Sequence, residues 1–198
     1  AALGYNAYSI MTTGKDEYGE FLPVILRSFD DYKPGLYAYL IIPLIKLFDL
    51  STFTVRFPSA LFGVLAVIGT YFLVKELFRN SNVKLEIPEV AALLLAISPW
   101  HLQFSRIAFE AQVGLSLNIF SILFFLKGLK KGSFLIASVV LASASIYIYQ
   151  SEKVYLPILF FVLVLIYWKD VISVPKKAII SAVLLGAVLC LPMLFALF

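Results

Sequence analysis

Residues 57–78 read FPSALFGVLAVIGTYFLVKELF, with no charge before Lys75 and Glu76. Held as a helix at about 1.5 Å per residue, such a stretch spans a hydrocarbon core roughly 30 Å thick. In lipid every backbone polar group needs a partner within the segment, so a helix is the expected conformation. Working outward, further apolar runs occupy 87–100, 113–126, 133–149, 154–168 and 178–198. Together they make six expected spans. The run 87–100 is short, with Leu102, Phe104 and Ile107 available to extend it. Leu36–Phe48 is also apolar, but its shortness, Pro43 and Lys46 fit an interfacial or re-entrant helix better than a crossing. Ala137, Ser138, Ala142, Ser143, Ala144 and Ser145 give the fourth span a small-residue surface for close helix packing.

The whole composition agrees. Of 198 residues, 62% are hydrophobic and 14% charged, and the mean hydropathy is +0.96. A soluble domain carries roughly 45–50% apolar and about 25% charged residues. A soluble globular enzyme, a disordered tail and a nucleic-acid module are excluded. The fold class is all-α, a polytopic transmembrane bundle with interfacial helices in its first external loop. Residues 1–56 form that loop and 57–198 the transmembrane helices of a single membrane domain, with no repeat or interdomain linker. The chain starts at Ala1 without a signal-peptide pattern and stops within an apolar run, so the expectation is a piece of a larger membrane protein, cut at both ends. Cys190, the only cysteine, allows no intrachain disulfide.

The net charge of +4 is a topology signal. Lys75, Arg79 and Lys84 follow the first span, Lys127, Lys130 and Lys131 the third, and Lys169, Lys176 and Lys177 the fifth. The two intervening loops hold only Arg106 and Lys153. The positive-inside rule places the lysine-rich loops in the cytoplasm and residues 1–56, 100–112 and 149–156 outside, although 1–56 carries five cations of its own. The carboxylates sort likewise. Asp16, Glu17, Glu20, Asp30, Asp31, Asp49, Glu110 and Glu152 fall outside; Glu76, Glu86, Glu89 and Asp170 fall inside. Polar groups that are expensive near a bilayer thus gather on one face from three stretches of chain, which points to a site there.

Several residues can carry chemistry on that face. Asp16 with Glu17, and Asp30 with Asp31, are adjacent pairs, each offering one functional carboxylate at most. They are either a solvated loop face or contacts to a divalent metal or sugar hydroxyls. Lys33 precedes Pro34, which biases it toward an extended backbone. Its ammonium is then either a snorkelling cation or a point charge for a lipid phosphate. Arg106 and Glu110, four apart, share a face if helical. They form an internal ion pair, or the arginine stabilises phosphate charge and the glutamate binds an acceptor or metal. His101 is the only histidine and has no second ligand at zinc spacing; with Trp100 it reads as an interfacial anchor. Tyr147, Tyr149, Gln150, Glu152 and Lys153 end the fourth span as belt residues, or as partners for a sugar or lipid headgroup. No phosphate-binding glycine loop and no serine nucleophile elbow is present.

The ordered set of short motifs is similar to a known superfamily. Gly4-Tyr5-Asn6-Ala7-Tyr8-Ser9, Thr13-Gly14-Lys15-Asp16-Glu17-Tyr18-Gly19 and Leu22-Pro23 resemble the first external loop of polytopic GT-C glycosyltransferases. The resemblance is to the dolichyl-phosphate-mannose-protein mannosyltransferase-like proteins, related to the lipid A aminoarabinose transferases. It continues through Asp31-Tyr32-Lys33-Pro34, Leu36-Tyr37, Val55-Arg56-Phe57-Pro58-Ser59-Ala60, Ser98-Pro99-Trp100-His101, Phe104-Ser105-Arg106, and Tyr149-Gln150 before Leu156-Pro157. It implies inverting transfer of a sugar from a polyprenyl-phosphate donor to a protein, lipid or glycan acceptor. The active face would be extracytoplasmic, in a plasma or ER-type membrane. Lys33 and Arg106 match residues expected at the donor phosphate, and Glu110 falls near an acidic position of the second external loop, a possible catalytic group. Asp16, Glu17, Asp31, Tyr32, His101, Tyr149 and Gln150 complete the expected substrate-binding set. The catalytic base is expected as a carboxylate upstream of Ala1, so this stretch alone would be inactive. No cofactor is implied beyond a divalent metal ion, and no nucleic-acid partner.

Two rivals remain at this point. A transporter or lipid-binding protein without catalysis would use the same pocket, but should place polar residues or helix breaks mid-membrane in several spans. Pro192 and the Ser/Ala-rich fourth span are the only such hints. A structural assembly subunit would have no need for Lys33, Arg106 and Glu110 to converge.

Overall fold

The computed structural model describes residues 2–28, 31–79 and 86–196. Asp30 and Lys84, counted above, lie outside the described residues. The chain opens with α1 (Ala2–Thr13). A turn follows in which Gly14 and Gly19 take φ of 73° and 92°, a region glycine enters without steric cost. Then comes a short antiparallel hairpin of β1 (Ile25–Ser28) and β2 (Asp31–Pro34), with Leu26 opposite Lys33 and Arg27 opposite Tyr32. The sequence reads here as loop and short helices, because four-residue strands are too brief for alternation to register. At the hairpin's end Gly35 N donates to Val24 O at 2.8 Å.

α2 (Leu36–Phe48) buries Tyr37, Ala38, Ile41 and Ile45. That stripe packs with Ala7 and Ile10 of α1 and with Leu26. α3 (Thr52–Leu77) begins five residues before the apolar run, where Ser51 caps it by accepting from Thr54 N. At 26 residues it is about 39 Å long, ample for a crossing. The expected span 87–100 is instead two helices, α4 (Ile87–Ile97) and α5 (Pro99–Arg106). Pro99 at the first position of α5 explains the break, since the residue before a proline avoids helical backbone. Then follow α6 (Glu110–Gly128), α7 (Phe134–Ile146), α8 (Glu152–Ile166), α9 (Trp168–Ser173) and α10 (Lys176–Phe195). The molecule is thus an all-α bundle with one small hairpin among the described residues. α3, α6 and α10 are long and apolar enough to cross a membrane; α2, α4 and α7 are shorter apolar helices.

α6 is the central helix, packed between α3 and α7, with α4 beside α3 and α10 beside α7. Its two faces are legible from spacing. Gln112 and Ile119 face α3, where Gly63 and Gly69 permit the approach; a Cβ on Gly69 would lie 2.9 Å from Ile119 Cγ2. Gly114, Asn118, Ser121 and Phe125 recur every three or four residues toward α7 and α8. There Ser121 Oγ donates to Ser138 O and Ser138 Oγ to Ser121 O, both at 2.8 Å. At the lysine-rich end, Lys130 pairs with Glu76 and ties the end of α3 to the α6–α7 loop. At the other end, α1, the hairpin, α2 and the α5–α6 and α7–α8 turns come together.

Candidate functional site

The site is framed by a buried polar clamp. Ser59 Oγ on α3 accepts from Phe109 N at 3.0 Å and donates to Phe109 O at 3.1 Å. The Tyr37 hydroxyl donates to Val55 O at 3.1 Å and lies 2.9 Å from the same Ser59 Oγ. Both residues are wholly buried. Phe109 stacks on Phe104 with centroids 4.9 Å apart and meets Tyr149 edge-on at 6.0 Å. The hairpin is held against this frame by Tyr39 Oη donating to Pro23 O at 3.0 Å and by Leu36 N donating to Tyr147 O at 3.1 Å. The clamp fixes the start of α6, and therefore Glu110, relative to Lys33 on β2 and to the α7–α8 turn.

Two cavities meet at those residues. One, about 220 Å³, is lined by Ala2, Leu3, Asn6, Leu26, Arg27, Lys33, Val55, Ala108 and Glu110. The other, about 390 Å³, is lined by Asp31, Lys33, Pro34, Phe109, Glu110, Ile148, Tyr149, Gln150 and Ser151. Lys33 and Glu110 belong to both. A third, of about 730 Å³, shares Val55 and Ala108 with the first and adds Tyr5, Ser51, Thr52 and Arg56. The three form one groove between α1, the hairpin, the start of α3 and the start of α6.

Its electrostatics are uneven. Lys33 Nζ is 3.7 Å from Asp31 Oδ2, and both side chains remain well exposed. An exposed pair of this kind is weak, so an anion in the groove can take over the ammonium. Glu110 is only 6% exposed, yet among the described residues nothing hydrogen-bonds or ion-pairs with its carboxylate. The cavities it lines are the direction from which a hydroxyl or a cation can satisfy it.

The other expected site residues divide. Asp31, Tyr149 and Gln150 line the 390 Å³ cavity, and Gln150 Oε1 accepts from Lys153 Nζ at 2.8 Å. Arg106 is exposed at the end of α5 and lines none of the three cavities. It does not share a helix face with Glu110, because Ile107 is extended and α5 ends before α6 begins. Asp16 is buried, its Oδ1 accepting from Tyr18 N and Glu20 N at 2.9 Å. Glu17 Oε1 accepts from Asn6 Nδ2 at 2.9 Å, and Glu17 N donates to Asn6 Oδ1 at 3.1 Å, pinning the loop to α1. Tyr32 is exposed on the hairpin. His101 is buried, with Nε2 3.1 Å from Gly63 O and Nδ1 3.3 Å from Gln112 Nε2. These bonds join α3, α5 and α6, so His101 is packing, not an exposed anchor.

Two groups escape the sequence reading as site residues. Arg27 enters the groove only because the hairpin sets β1 beside β2; its guanidinium sits over the Tyr18 ring at 5.1 Å. Arg56 stands in a quoted motif but acquires a place only when α3 starts at residue 52. Glu152, read from sequence as a belt residue or a headgroup partner, is instead buried beneath the Tyr149–Gln150 wall. Among the described residues, no three of His, Cys, Asp and Glu cluster to hold a metal ion. Asp31 and Glu110 are the two carboxylates on the 390 Å³ cavity.

The sequence profile described as dolichyl-phosphate-mannose-protein mannosyltransferase matches residues 32–195. Comparison with curated proteins finds no match, and neither does comparison with solved structures.

Proposed function

The chain belongs to the dolichyl-phosphate-mannose-protein mannosyltransferase family, a GT-C type of membrane glycosyltransferase, and from that premise we propose which reaction its groove serves. A sugar passes from a polyprenyl-phosphate donor to an acceptor on the extracytoplasmic face, with inversion. The acceptor oxygen attacks the anomeric carbon, the bond from that carbon to the phosphate oxygen breaks, and the lipid phosphate leaves with the electron pair. The acceptor's proton goes to a carboxylate. The observation that supports this reading best is that Lys33 and Glu110 face the same two adjoining cavities.

Lys33 is the group for the donor phosphate, with Arg27 and Arg56 as further cations along the groove. Positive charge placed where the leaving phosphate accumulates negative charge lowers the barrier without reorganisation. Glu110 binds the acceptor hydroxyl or a divalent cation. Asp31, Tyr149 and Gln150 supply polar and aromatic surface for the sugar. Ala2 and Leu3 line the 220 Å³ cavity, on the wall that also holds Lys33 and Glu110. Arg106, outside these walls, has no role in this scheme.

The test uses the complete protein in nanodiscs with a panel of radiolabelled polyprenyl-phosphate sugars, following release of lipid phosphate. Release that is lost in Lys33→Ala supports the assignment. Undiminished donor affinity in that variant removes Lys33 from the phosphate site. Absence of turnover with every donor, together with solute flux in proteoliposomes, replaces the transferase by a transporter.

A further inference from the structure

Beneath the 390 Å³ cavity lies a carboxyl group that the scheme above does not use. Glu152 is the first residue of α8 and directly follows the Tyr149–Gln150–Ser151 wall. It is 6% exposed. Its Oε2 accepts from Asn118 Nδ2 at 2.9 Å. The contact reaches well into the bundle: Asn118 is eight residues along α6 from Glu110, about 12 Å below the groove at helical rise. Gly114 makes room for it, since a Cβ there would lie 3.2 Å from Glu152 Oε1 and 3.7 Å from Tyr149 Cβ.

The charge state follows from what surrounds the group. From α6 it meets Gly114 and Asn118, from the α7–α8 turn Tyr149, and on its own helix Tyr155. The Lys153 ammonium turns away to Gln150 Oε1 at 2.8 Å. Among the described residues no cation lies within ion-pair distance of Glu152. A carboxylate buried this way, with one amide as its only partner, pays a large desolvation cost, and such groups neutralise instead. A second observation agrees. Asn118 Oδ1 is buried and has no hydrogen-bond partner. A proton on the Glu152 carboxyl supplies the missing donor and completes a two-bond acid–amide pair.

We propose that Glu152 is held as the neutral carboxylic acid and, paired with Asn118, latches the Tyr149–Ser151 wall of the substrate cavity onto α6. It is a positioning residue, acting through Tyr149 and Gln150. Its effect on transfer rests on the reaction proposed above; its protonation and its bond to Asn118 do not.

The experiment therefore has two arms. The first is infrared spectroscopy of the complete protein in nanodiscs at neutral pH, comparing wild type with Glu152→Gln and Asn118→Ala. A protonated-carboxyl band that vanishes in Glu152→Gln and shifts in Asn118→Ala is expected. A band that is absent, or unmoved by Asn118→Ala, overturns the proposal whatever the protein's activity. The second arm is donor and acceptor kinetics. Glu152→Gln, which keeps both bonds to Asn118, is expected to stay within about twofold of wild type across neutral pH. Glu152→Ala is expected to raise KM about tenfold, the equivalent of one lost hydrogen-bonded contact, with a smaller change in kcat. Equal damage in the two variants assigns Glu152 a charged role and overturns the latch. Turnover absent in wild type while the infrared band behaves as expected refutes the transfer reaction and leaves the acid–amide pair standing.

Discussion

Gly63 controls how close α5 comes to α3. A Cβ added there would stand 2.4 Å from Ser105 Oγ and 2.8 Å from Ser105 Cβ. Ser105 cannot easily swing aside, because its hydroxyl donates to His101 O at 2.7 Å. The same step of α3 offers Gly63 O to His101. Gly63→Ala should therefore lower stability by about 1–3 kcal/mol, the usual cost of overpacking a close contact, seen as earlier thermal unfolding in detergent; an unchanged transition would mean that α5 is loosely held. Single residues also show where sequence reading stops. Lys33 was legible, since a lysine fixed in extended backbone by Pro34 beside acidic neighbours is a local pattern. His101 was not, because its partners Gly63 and Gln112 are distant in sequence. Glu152 reads locally as a belt residue or a headgroup partner. Its partner Asn118 lies in another apolar run, where nothing local marks it as a carboxyl's companion.

At the scale of elements, the apolar runs marked α2, α3, α4, α6, α7, α8 and α10 in order, since a bilayer forces helix on any long apolar stretch, but α1, α5 and α9 had no run of their own. Their breaks were partly visible: Pro99 stands in plain view inside the expected second span, but its apolar flanks masked it. The hairpin was hidden by its brevity, and Arg27 with it. The pairing of α6 with α7 is written in small residues, and the reciprocal Ser121 and Ser138 bonds are its most specific feature. Ser121→Ala and Ser138→Ala each remove one of these bonds to a backbone carbonyl, and each, read by unfolding in mixed micelles, should cost about 0.6 kcal/mol and no more than about 1.7 kcal/mol, the range for hydrogen bonds between membrane helices. Unchanged stability in both variants would show that steric fit alone holds this seam.

The molecule as a whole has two unlike ends. One end gathers Lys130 with Glu76, the Lys127 and Lys131 region and the start of α10. The other gathers the groove, the hairpin and the clamp. The cation bias of the loops predicts the first end in the cytoplasm, and the proposed transfer reaction needs the second outside, where a lipid-linked sugar and its acceptor would meet. The two ends can be told apart chemically once the native cysteines, Cys190 among them, are replaced by serine. In that background Gln150→Cys and Lys131→Cys place one thiol at each end, both at exposed positions. In intact cells a membrane-impermeant maleimide should label Gln150→Cys at once and Lys131→Cys only after permeabilisation. The opposite pattern would turn the groove toward the cytoplasm. The five cations of residues 1–56 would then outweigh the lysine-rich loops in setting orientation, and the donor would have to be one presented on the inner leaflet. Labelling of both thiols without permeabilisation would mean that the two ends share one side of the membrane. That would require α6 to enter without crossing, against its length of 19 residues and its apolar composition.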